Sequence, residues 1–149
     1  MHATVIVATL AACFCPLFER SAFAQGQMVA GTRLGPHVPK GLELKPGADY
    51  SGLDFRGSAF AWYTSLKDVN FSSCDLRQVI FDSVDLEGAD FTGANLQEAA
   101  FCDNVKLSGV SFRKANLKWA FFEITSIPED VDFTGAERAR DPGGIIGRI

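Results

Sequence analysis

The chain is short of the side chains that chemistry at an active site uses. Of its 149 residues only His2 and His37 are histidine, and the four cysteines stand apart at 13, 15, 74 and 102. There is no metal-ligand spacing, no Ser-His-Asp order and no glycine loop built to cradle a phosphate. These shortages predict a protein that is not an enzyme and holds no cofactor and no metal. Charge of either sign is also modest. Fourteen Lys and Arg against 18 Asp and Glu leave a net charge of −4, with 21% charged and 47% hydrophobic residues. That balance excludes an acidic disordered chain and a basic nucleic-acid arm, so no nucleic-acid partner is expected. The length leaves room for one domain. What the chain does have is phenylalanine, 13 in all.

The longest apolar run, Ala3 to Phe18, is shorter than the roughly 20 residues of a membrane span. It fits the apolar region of a secretory leader. Glu19-Arg20-Ser21 follow it, and Ala22 and Ala24 form a small-residue cleavage site that would leave Gln25 first. Residues 1–24 are therefore read as a signal peptide, although only Met1-His2 precede the run, without Lys or Arg. Two other readings remain: lipidation at Cys13, because Leu10-Ala11-Ala12-Cys13 is lipobox-like, and a retained N-terminal anchor. A membrane partner follows only from one of these. The expected location is periplasmic or secreted. Residues 25–47, rich in Gly and Pro, read as a linker or N-terminal cap.

From Ala48 the chain repeats every five residues. It reads ADYSG LDFRG SAFAW, then after Tyr63 TSLKD VNFSS CDLRQ VIFDS VDLEG ADFTG ANLQE AAFCD. After Asn104 come VKLSG VSFRK ANLKW AFFEI TSIPE, and after Asp130, VDFTG. A helix would space its apolar residues by three and four. A strict five fits a short straight segment and a turn, repeated.

The pattern resembles the pentapeptide-repeat family, A-(D/N)-L-x-x, with ADFTG and ANLQE (89–98) matching almost letter for letter. The resemblance covers 48–135 and implies an all-β, right-handed quadrilateral β-solenoid with four quintets per coil, here just over four coils. The first and central residues of each quintet would point inward. Residues 136–149 are left as a C-terminal tail. Taking every fourth centre tests the phasing. Tyr50, Phe71, Phe91, Phe112 and Phe133 fall in one column, and Phe60, Phe81, Phe101 and Phe122 in the opposite one. Between them fall Phe55, Leu76, Leu96 and Leu117, and Leu66, Leu86, Leu107 and Ile127. Three or five quintets per coil would scramble this sorting, so these centres are the expected core. First positions are mostly small or β-branched. Cys74 is one of them and should be buried, whereas Cys102 follows a centre and should point out, so the two should not pair.

Function must then lie on the outer surface. On the third face the second position, elsewhere often Asp or Asn, is Ala59, Ile80, Ala100 and Phe121, with Trp62, Tyr63, Trp119 and Ile124 nearby. Ala59, Trp62, Tyr63, Ile80, Trp119, Phe121 and Ile124 are candidate interface residues, for a protein partner or for self-association. The competing reading has the 25–46 segment or the tail folding over them. Arg56, Arg77, Gln97 and Lys118 align on the second face, where local pairing with Asp54 and Asp75 is favoured over an anion site. No Lys or Arg occurs from Gln78 to Val105, which makes an acidic band. The reading is an exported, non-enzymatic binding or scaffold module in the bacterial cell envelope. The resemblance also implies an alternative, a cytoplasmic DNA mimic that binds gyrase and protects against quinolones. That alternative requires that residues 1–24 are not a leader. A third possibility is an enzyme accessory or lumenal protein, as in photosynthetic members.

Overall fold

A quintet can hold two or three extended residues and one corner, and the computed structural model shows the chain used in that way. The structure describes residues 28–29, 32–61, 64–123 and 126–138. The signal-peptide residues, Trp62, Tyr63 and Ile124 lie outside them. Among the described residues eight short strands are present: β1 (Met28–Val29), β2 (Thr32–Arg33), β3 (Ala59–Ala61), β4 (Ile80–Asp82), β5 (Ala100–Cys102), β6 (Asn116–Leu117), β7 (Phe121–Glu123) and β8 (Glu137–Arg138). They form a six-stranded sheet in the order β1-β2-β3-β4-β5-β7 and a pair β6-β8. No helix occurs among the described residues.

Single bridges complete the other walls. Asp49, Asn70, Asp90, Ser111 and Asp132 pair in succession, in parallel, at steps of 21, 20, 21 and 21 residues. Asp54, Asp75, Asn95 and Asn116 form a second row, and Ser65, Asp85 and Lys106 another. The steps of 21 are four quintets plus one inserted residue. The rows are those expected from every fourth quintet, and the architecture is a right-handed, four-sided β-solenoid.

The corners explain why five residues suffice. In most quintets the opening amide bonds back to the carbonyl of the preceding centre, as Ala94 N does to Phe91 O at 3.0 Å. The fifth residue sits between them with positive φ, +68° at Gly93 and +59° at Glu98, as the third position of a type II turn requires. Among the described residues eight non-glycine residues take this conformation, from Asp68 to Trp119, all at fifth positions. The second-position Asp or Asn supports the corner, its side chain accepting the fourth-position amide: Thr92 N to Asp90 Oδ1 is 2.8 Å, Ser72 N to Asn70 Oδ1 2.9 Å. This is the short-range bonding for which Asp and Asn are suited in turns.

Inside, like rings lie over like rings. Phe71, Phe91, Phe112 and Phe133 succeed one another at 5.3, 5.2 and 5.3 Å between centroids with planes within 23°. Phe60, Phe81, Phe101 and Phe122 do so at 5.1, 5.0 and 4.4 Å. The two piles meet edge to face, as at Phe81–Phe91, 5.8 Å and 79°. The aliphatic centres Leu66, Leu76, Leu86, Leu96, Leu107 and Leu117 are buried, as is Tyr50. Two expected core centres, Phe133 and Ile127, are only half-buried, because they lie in the last turn, where no described coil stacks on them.

The Gly/Pro-rich segment before the repeats is packed against them. β2 pairs antiparallel to β3, Arg33 opposite Ala59. Val38 is buried, and Leu34, Leu42 and Leu44 pack on the interior core. Tyr50 Oη donates to Glu43 O at 2.7 Å and accepts Lys45 N at 2.9 Å. Residues 32–47 thus form a cap on the first coil. At the other end the ladder runs past Gly135, with β8 pairing in parallel to β6.

Candidate binding surface

The polar side chains that point outward are largely engaged with each other. Arg56 pairs with Asp54 at 2.5 Å and reaches Asp75 at 3.4 Å, while Arg77 pairs with Asp75 at 2.7 Å. Hydrogen bonds from Arg56 and Arg77 hold the Asp54 and Asp75 carboxyls below the usual range against their partial burial. The aligned arginines are therefore internally neutralised. They line a recess of about 240 Å³ with Gln78, Gln97 and Glu98. The acidic band is bridged from its flanks: Lys67 reaches Asp85 at 3.5 Å and Glu87 at 2.5 Å, and Lys106 reaches Asp85 at 3.5 Å. No group of three or more His, Cys, Asp or Glu gathers as a metal site among the described residues.

Sequence placed the third-face residues in one exposed stripe, and the structure divides them. Ala59 and Ile80 are buried, each 7% exposed, and with Ala100 and Cys102 they form an apolar cluster separate from the interior core. Both are corrected as free contact residues. Cys102, expected to face solvent, is also buried although it lies on the outer side of β5. Trp119 and Phe121 stay exposed, 68% and 39%. Trp119 occupies a corner at φ +61°, which costs an L residue roughly 1 kcal/mol. Inside the rod, Cys74 Sγ donates to Tyr50 O at 3.0 Å, and burial pushes its thiol up to about 11. Cys74 and Cys102 form no disulfide with one another.

One feature escaped the sequence reading, an apolar groove of about 480 Å³ between cap and first coil. It is lined by Thr32, Leu34, Leu42, Leu44 and Thr64 among others. Its trace in the sequence is Leu42 and Leu44 alternating with Glu43 and Lys45, the period of an extended segment laid on an apolar floor.

A stack of quintets with paired charges outside and ring piles inside defines a solenoid repeat protein. The family model for pentapeptide repeats matches residues 70–103 in eight copies, within the run of quintets. It is similar to a pentapeptide repeat protein from the Arabidopsis thaliana thylakoid lumen, 30% identical over 60% of this chain and 64% of that one, TM-score 0.32. The chain thus spans just under two thirds of that protein. A pentapeptide repeat protein from the cyanobacterium Cyanothece 51142, Rfr23, is 22% identical over 63% of this chain and 86% of that one, TM-score 0.32. QnrB1, a plasmid-mediated fluoroquinolone resistance protein, is 25% identical over 59% and 56%, TM-score 0.33. No match is found among curated proteins.

Proposed function

We propose that this protein is an exported, non-enzymatic binding module of the cell envelope, whose rigid rod presents Trp119 and Phe121 to a protein partner. The observation that carries the reading is the contrast along the third face. Outward apolar side chains in three coils are buried, and in the fourth two large aromatics stand in solvent, one of them on a corner that disfavours a bulky residue. Aromatic residues, Phe among them, are enriched at protein interfaces, and Trp is one of the residue types that dominate their binding energy. Elsewhere the outward polar groups support corners or pair across coils, which leaves little for catalysis. Export rests on the apolar run and the Ala22-x-Ala24 site.

The test has two parts. Intact mass of the protein recovered from its native cell should begin at Gln25, in an extracytoplasmic fraction; an intact Met1 chain in the cytosol overturns export. Trp119→Ala with Phe121→Asp should reduce capture of the cross-linked envelope partner at least tenfold without changing the thermal midpoint by more than a few degrees. Unchanged capture overturns the contact assignment.

A further inference from the structure

On the second face Arg56, Arg77, Gln97 and Lys118 stand one to a coil, about 4.8 Å apart, beside the bridged row of Asp54, Asp75, Asn95 and Asn116. Each guanidinium meets its own carboxylate through one edge only. Arg56 gives Nε to Asp54 Oδ1 at 2.9 Å and Nη2 to Oδ2 at 2.5 Å. Arg77 gives the same two groups to Asp75 at 2.9 and 2.7 Å. Neither Nη1 amino group takes a partner among the described residues. Both residues line the recess of about 240 Å³ together with Gln78, Gln97 and Glu98. The Glu98 carboxylate accepts Gln78 Nε2 at 2.9 Å and Gln97 Nε2 at 3.5 Å, and the two amide oxygens stay open to a donor.

We propose that this recess binds an uncharged sugar chain, with one pyranose among the five side chains and the next against Trp119. Charge decides first. Three carboxylates, Asp54, Asp75 and Glu98, stand against two guanidinium groups, and Lys118 is matched by Glu137 at 2.8 Å. A balance of −1 turns away a phosphate or carboxylate ligand. The absence of any aliphatic side chain from the lining turns away an apolar one. Planar guanidinium, amide and carboxylate groups that together donate and accept match neighbouring hydroxyls, each of which does both. Trp119 holds the corner one coil beyond Glu98, with the same left-handed φ, +61° against +59°, and its ring is exposed. An indole offers a broad apolar, electron-rich face to the C–H side of a pyranose. The ladder is straight, and one coil step is close to the length of one ring in an extended chain, so successive rings meet successive coils. The inference does not rest on the protein-partner reading. Trp119 is the one side chain the two would share, so other residues carry the test.

In the full chain carrying Trp62→Phe, Trp119 is the one indole left. Titration with cellohexaose should give a saturable change in its fluorescence. Arg77→Ala with Gln97→Ala should raise the apparent Kd at least tenfold and leave the thermal midpoint within a few degrees. Glu98→Gln, which keeps the shape of the site, should raise it at least threefold. Maltohexaose, whose chain coils, should bind at least tenfold more weakly than cellohexaose. Retention on insoluble cellulose assigns a polymer as the ligand, and hexaose binding without retention assigns a free oligosaccharide. No saturable change with cellohexaose, a change that all these variants leave intact, equal affinity for maltohexaose, or tighter binding of inorganic phosphate would each overturn the proposal. Capture of the protein partner should be unchanged by Arg77→Ala with Gln97→Ala, so failure of one reading is told apart from failure of the other.

Discussion

At Phe91 the interior can be weighed one side chain at a time. Its ring is fully buried, lies over Phe71 and under Phe112, and meets Phe81 and Phe101 edge to face. Neighbours held by two continuous piles cannot collapse into the space it leaves. Phe91→Ala should cost about 3–5 kcal/mol in urea melts, and a loss under about 1 kcal/mol would be incompatible with a buried pile. Outside, the Asp residues have a different effect. The Ser51 amide and hydroxyl hold the Asp49 carboxyl below its usual range, and the Thr134 hydroxyl and amide do the same for Asp132. A carboxyl depressed in the folded state contributes stability present above its unfolded value, near 3.9, and lost as pH falls through the folded one. The thermal midpoint should therefore stay flat from about pH 7 to about pH 5 and drop below about pH 4. The drop should be smaller with Asp49→Asn and Asp132→Asn combined.

The quintet is the element of this fold, and its corner is its most demanding part. A Cβ at Gly93 would meet no atom closer than Ser73 Oγ at 3.7 Å, so Gly93→Ala should cost only the left-handed backbone term, about 1 kcal/mol. At Gly88 the same Cβ would meet Asp68 Oδ1, the outer end of an exposed side chain that can swing aside, so Gly88→Ala should cost about the same. A loss of several kcal/mol at both positions in parallel melts would contradict the turn geometry. The columns of Phe and Leu were legible in the sequence because burial repeats every twenty or twenty-one residues, and stacking demands like on like. The Asp or Asn at second positions was visible as a pattern, but its use was not, since bonding to the fourth-position amide is a property of the folded corner. The left-handed fifth position was hidden because Gln78, Glu98, Lys114 and Trp119 fill it as well as glycine. The division of the third face was illegible for a plainer reason. Alternation tells which way Ile80 and Cys102 point, not what lies over them.

For the whole molecule, register is the shared constraint. Between the second and third coils the sheet row advances from Asp82 to Cys102, while the next wall advances from Asp85 to Lys106. The extra residue therefore lies in 103–105, the place of Asn104. Deleting Asn104 should be tolerated, with the β-type circular dichroism kept and the midpoint lowered by a few degrees. Deleting Thr92, inside an in-phase quintet, turns every later side chain out of place and should abolish the cooperative transition. Each coil pairs in parallel with the next, so stability should be lost and gained by the stack as a unit.

The antiparallel seam between β2 and β3 bears on how copies meet one another. A bare terminal coil would offer a row of backbone groups in the direction another rod could continue, and such rods would concatenate into filaments. Here β2 already occupies the open edge of β3 and β1 the far edge of β2, so that row of the first coil is taken by the chain's own cap and is not left bare for a second rod.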